Sequence, residues 1–174
     1  VNDWAGQAGR VAIGVNGGWV FATPAAGWRA FVRDEGRSAI HDGAGWVAGA
    51  LTLSPHGAGL RAGLVEVDHA LTAGPSSATA FIIPAHAMLI GVTARVVEPI
   101  TGTLSSWSLC NPGAVGRFGS GLGLAAGSWA RGMLGAPMTF YAPEAVELVA
   151  AGGVFASGKV RIAVHFLEIG LPAA

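Results

Sequence analysis

Five side chains in the second half of the chain carry the chemistry of recognition: Trp107, Asn111, Arg117, Trp129 and Arg131. Flat indole faces stack on the C–H faces of sugar rings, while arginine and asparagine read hydroxyls and carboxylates. All five fall in expected loops or strand ends, where ligand contacts tend to gather. The same tryptophans would equally well seal a subunit interface, and both readings stay open at this level.

Catalytic patterns are weaker. Glu66 and Asp68 are two apart on an expected strand, which puts their carboxylates about 7 Å apart on one face. Retaining glycosidases need a pair at about 5 Å, and Glu98, Glu144 and Glu147 could supply partners. A solvated strand face explains the pair more simply. There is no GxSxG elbow for a serine hydrolase. The stretch Gly119–Ala126 (GSGLGLAA) contains a GxGxxA pattern, but no acidic residue follows at the spacing a dinucleotide site requires, and no βαβ alternation surrounds it. His41, His56, His69, His86 and His165 lack HxxxH or HExxH spacing, and Cys110 is the only cysteine. We therefore expect no metal, no cofactor and no catalytic residue, and read the protein as a non-enzyme.

These residues are positioned by a chain rich in short apolar stretches and turns. The glycine-dense segment Gly113–Gly135 (GAVGRFGSGLGLAAGSWARGMLG) reads as a central loop, its backbone packed against another chain or a ligand. Expected strands precede it at Ala78–Ile83 and Met88–Val97, and follow it at Thr139–Tyr141, Val146–Val149 and Lys159–Ile169. In Leu64–Leu71, Val65, Val67 and Leu71 face one way and Glu66 and Asp68 the other. Met88, Ile90, Val92, Ala94 and Val96 form a second stripe. Val160, Ile162, Val164 and Phe166 form a third, opposite Arg161 and His165. This pattern predicts an antiparallel β-sandwich of jelly-roll type over 64–174.

Residues 1–48 read differently, as a Trp/Gly-rich β-hairpin module. Ala12–Phe21 (AIGVNGGWVF) and Ala39–Ala48 (AIHDGAGWVA) each place a turn dipeptide between short apolar strands, so they are weak copies of one unit. Asn16-Gly17 and Asp42-Gly43 are expected to form two-residue turns. Trp28–Val32 reads as a strand. Trp4, Trp19, Trp28 and Trp46 are expected to build the module's core in preference to stacking on sugars. Residues 49–63 read as a linker. The fold class is thus all-β.

Composition limits the partners. Of 174 residues 52% are hydrophobic and only 11% charged, and ten basic residues balance ten acidic ones. The usual charged share is about 25%, so apolar surface is expected to be covered by other subunits. A neutral chain offers no field for nucleic acid. The most apolar window, Ala80–Val97, is interrupted by Pro84, His86, Thr93 and Arg95, which excludes membrane insertion as a helix. The first residue is Val1, which reads as a piece of a longer or processed polypeptide.

Two stretches then carry a resemblance. Trp4–Val47 (WAGQAGRVAIGVNGGWVFATPAAGWRAFVRDEGRSAIHDGAGWV) resembles the Trp-Gly module of a domain-of-unknown-function family found in fibre and spike proteins of bacterial prophages and gene transfer agents. Ile83–Phe166 resembles the C-terminal domain of the same proteins, most specifically at GVTARVVEPITG, RFGSGLGLAAGS, TFYAPEAVEL and GGVFASGKVRIAVHF. The resemblance implies a structural fibre or head-spike protein of a phage-like particle, carried on the virion and extracellular after release. It implies a homo-oligomer, with a trimer preferred, partnered by other fibre or particle proteins, whose residues 64–174 form a receptor-binding domain attaching to a host-surface polysaccharide such as capsule. It carries over no catalytic residue. A purely structural shaft or collar subunit, and a polysaccharide-degrading spike, are the alternatives.

Overall fold

The computed structural model describes residues 4–172, and among them every regular element is a β-strand. The chain divides into two compact units, one running up to Arg61 and taking up the residues after Glu168, the other spanning Ala62–Glu168.

In the first unit, β1 (Val11–Val15) and β2 (Gly18–Ala22) form a hairpin. Val15 faces Gly18 across it, and Asn16 and Gly17 take φ of 46° and 81°. Two successive positive φ values match the right-handed twist of the flanking strands, which is why an Asn-Gly pair sits here. A three-stranded sheet follows, ordered β3 (Arg29–Val32), β4 (Arg37–His41), β5 (Trp46–Ala48). Its second turn differs from the two-residue form predicted. Residues 42–45 form a four-residue loop, in which Asp42 Oδ1 accepts N–H bonds from Ala44 at 2.8 Å and Gly45 at 2.7 Å. Those two bonds hold the Asp42 carboxyl below its ordinary range. The aspartate side chain, unlike Asn16, caps the backbone and makes a wider turn.

The tryptophans of this unit do not form a core. Trp4 and Trp19 are each half exposed and meet at 5.2 Å, Trp4 meets Phe21 at 5.4 Å, and Trp46 lies edge-on to His41. Among its described residues only Pro24, Ala39, Ile40, His41, Gly49 and Ala50 are buried. Two- and three-stranded sheets of this size have too little facing area to enclose an indole. The stretch 49–63, read as a linker, carries strand β6 (Ala50–Leu53) and the start of β7 (Gly59–Ala70), which pair antiparallel.

The second unit continues from β7 through β8 (Ser76–Ile83), β9 (Met88–Gly102), β10 (Ser106–Cys110), β11 (Gly119–Leu122), β12 (Trp129–Thr139), β13 (Glu144–Ala151) and β14 (Phe155–Gly170). One sheet runs β12-β9-β14-β7 and the other β11-β10-β13-β8. Numbering β7 to β14 as one to eight, the sheets hold strands 6-3-8-1 and 5-4-7-2. That interleaving is the doubled Greek key of a jelly roll. Between the sheets lie Leu89, Val92, Val96, Val160, Ile162 and Val164 from one side and Ile83, Trp107, Leu109, Val146 and Leu148 from the other, closed by Phe118 and Phe155.

The stripe on β14 is as predicted, while that on β9 slips. Leu89, Val92, Ala94 and Val96 are buried, in place of Met88 and Ile90. The register of β14 against β9 shifts between His165 and Phe166, so an extra residue on β9 reverses the alternation below Gly91. The glycine-dense segment is likewise not all loop, since it contains β11 and the start of β12. Its close packing is against its own chain. A Cβ on Gly132 would lie 2.3 Å from the Phe118 carbonyl oxygen and 2.5 Å from Phe118 Cα. Gly132→Ala is expected to destabilise the protein by about 1–3 kcal/mol through overpacking, read as a lower denaturant midpoint in chemical unfolding.

A polar latch joins the two sheets. Ser77 Oγ accepts from Thr72 N–H at 3.0 Å and from Thr72 Oγ1 at 3.1 Å, and lies 2.8 Å from His69 Nε2. With two donors already on it, the Ser77 hydroxyl donates its own proton to His69, which requires the neutral imidazole. Burial holds His69 below its ordinary value of 6.5. A depressed histidine pKa means the unfolded chain takes up the proton first. Its stabilising contribution is therefore complete above pH 6.5 and is lost as pH falls through the folded-state pKa. Melting temperature should drop from pH 7 towards about pH 5 more steeply in the native protein than in His69→Gln, by circular dichroism.

Candidate functional site

The outer face of the β12-β9-β14-β7 sheet bears the candidate site. Cross-strand register aligns its side chains in rows. Trp129 lies opposite Arg95, which lies opposite Arg161. One step along, Arg131 lies opposite Thr93, and Thr93 opposite Ala163. On β7, Asp68 holds Arg161 through paired bonds of 2.6 and 2.7 Å, and the alternating burial of β7 turns Glu66 outward with it. Trp129, Arg131, Arg95, Thr93, Arg161 and Glu66, with three alanine positions between them, line an open basin of 660 Å³.

The basin combines an aromatic platform with fixed charge. Trp129 is 60% exposed, and the Arg131 guanidinium carbon stands 5.7 Å from its ring centroid. Asp68 is held well below the ordinary carboxylate range by the Arg161 guanidinium, and Arg161 is raised in turn. Bidentate pairing of this kind fixes the guanidinium plane. Held as the anion and bonded to Arg161 through both oxygens, Asp68 cannot serve as the acid of a pair with Glu66. Beyond the first row Lys159 pairs with Glu98, and beyond the second His165 reaches back so that its Nε2 meets Thr93 Oγ1 at 3.0 Å. Among the described residues no three His, Cys, Asp or Glu side chains gather in a metal-binding group.

Of the five residues singled out from sequence, the fold brings two together. Trp129 and Arg131 share the basin. Trp107 is fully buried in the sandwich core, its indole N–H bonded to the Gly123 carbonyl at 2.9 Å, so no ligand can stack on it. Asn111 is 6% exposed, which withdraws it from any surface ligand. Arg117 is exposed but reaches Met138, outside the basin lining. The sequence reading overlooked Arg95 and Thr93 as site residues. The alternation of β9 already turned both outward, but only the pairing of β9 with β12 places them beside Trp129.

Residues 1–47 match the model of a family described as "Protein of unknown function (DUF2793)". The match covers the first of the two stretches quoted above and ends before the second. Among solved structures, a chain of the "Cyanophage Pam1 capsid asymmetric unit" is similar to this one, with 22% identity and a TM-score of 0.46, over 68% of this chain and 92% of that one. No curated protein matches the chain.

Proposed function

We propose that the protein is a fibre or spike subunit of a phage-like particle, prophage or gene transfer agent, which attaches to host-surface polysaccharide through the basin around Trp129. The observation that carries the attachment reading is an exposed indole, held on a rigid strand and ringed by side chains that read hydroxyls and acids. Sites on strands hold their geometry better than sites on loops. Fixed donors and a flat apolar ring are what a sugar, with one C–H face and many hydroxyls, can use. The particle assignment is supported by the sequence resemblance of the Trp-Gly module and by the jelly-roll architecture, which is common in viral and lectin domains. This is a binding function; no residue is assigned a catalytic role.

The first unit favours a second role beside it. Trp4, Trp19, Trp28, Phe31 and Trp46 are all exposed in a short module. Large apolar side chains left exposed at this density are suited to being covered by other copies, so this unit serves as the shaft or collar through which copies associate. Purified host capsule presented to the full-length protein tests attachment, and light scattering tests assembly. Capsule binding by the oligomer supports the proposal. An oligomer that ignores all host polysaccharides leaves only the structural role.

A further inference from the structure

We infer that the basin selects an anionic sugar, a uronate-class unit whose ring lies on Trp129 and whose carboxylate is held by Arg95 and Arg131. This deepens the attachment reading above and rests on it. The central observation is the row Trp129–Arg95–Arg161. Like charges directly opposite each other on neighbouring strands are destabilising, yet two arginines face each other here. Asp68 satisfies Arg161 through two bonds. Among the described residues no carboxylate pairs with Arg95 or with Arg131.

The uncompensated charge is therefore local to Trp129. Arg95 stands directly across the ladder from the indole, and Arg131 is two residues along the same strand. Three arginines line the basin against Glu66, with Asp68 committed to Arg161 beside it. Glu66 does not cancel the charge of Arg95 and Arg131, neither of which has a carboxylate partner. It lies on β7, two strands from Arg95 on β9 and three from Arg131 on β12, or about 10 and 14 Å at the usual strand spacing, both beyond the screening length of about 8 Å at physiological salt. A sugar ring on Trp129 thus meets two planar donors at its edge, a geometry that carboxylates accept in bidentate fashion. Glu66, at the far rim, is placed to accept hydroxyls of an adjoining unit.

Oligomers of galacturonate, glucuronate and mannuronate, each paired with its carboxyl-reduced counterpart, test this against the full-length protein by titration calorimetry. The acidic member should bind about tenfold or more tightly than its reduced partner, as expected for a charge-assisted pair. The preference should fade at about 0.5 M salt. Arg95→Gln with Arg131→Gln should abolish the preference while leaving the melting temperature equal or higher, since it relieves the cross-strand repulsion. Equal binding of acidic and reduced oligomers would overturn the inference and leave polysaccharide attachment standing. Binding of none of them by a protein that still binds host capsule would also overturn it alone. Failure to bind any polysaccharide would take both readings down.

Discussion

Trp107→Ala should cost the protein about 3–5 kcal/mol of stability, the range for truncating a large buried aromatic. Its side chain has no exposed surface, and its register places it on β10 between β11 and β13. The change would leave a cavity between the sheets and strip the Gly123 carbonyl of the indole N–H it accepts. Gly123 itself is exposed, so water can replace the lost donor and the cavity dominates the cost. Against a total stability of about 5–15 kcal/mol for a typical protein, such a variant would be marginal at 37 °C. Urea unfolding, with the midpoint read from tryptophan fluorescence and far-ultraviolet dichroism together, measures it. Trp107→Phe should recover most of the packing and none of the hydrogen bond. A midpoint within error of the native protein would mean that Trp107 is not in the core.

The opposite result is expected at Trp129. Trp129→Ala should leave the unfolding midpoint nearly unchanged, because most of the ring already faces solvent. Its effect should appear in binding. Tryptophans at the centre of a contact commonly contribute about 2 kcal/mol or more, which corresponds to roughly 30-fold in affinity. Host polysaccharide binding by full-length protein and variant, measured at one salt concentration, gives the comparison. Loss of binding with an intact fold supports a ligand platform. A variant that binds as well as the native protein but sediments as a smaller species would assign Trp129 to an interface between copies. Two tryptophans of similar sequence context thus separate into one that holds the sandwich together and one that is free to recognise.

Strand type and facing were legible from residue pattern alone. The alternation of Val65, Val67 against Glu66, Asp68 and of Val160, Ile162, Val164, Phe166 against Arg161 follows from the period of a pleated strand, so one buried face fixes the other. The Asn16-Gly17 turn was legible for the same local reason, since few residues tolerate two successive positive φ values. Asp42-Gly43 looked equivalent, but its side-chain oxygen reaches two backbone N–H groups and widens the loop, a choice made by hydrogen bonds that the dipeptide does not display. The slip below Gly91 was hidden too, because a bulge is a property of two strands and only one of them is read at a time.

The site divides along the same line. Sequence singled out Trp129 and Arg131 as recognition residues, though within an expected loop, and determined that the chain is all-β with a small share of charge. Only the tertiary structure decided that Trp107 and Asn111 are internal, that Arg117 lies elsewhere, and that Arg95 and Arg161 meet Trp129 in one row. Residues 129, 95 and 161 are far apart along the chain, and their meeting depends on the strand order β12-β9-β14-β7. Side-chain periodicity is a local consequence of backbone geometry, whereas adjacency across a sheet is set by how distant strands bury their common apolar face.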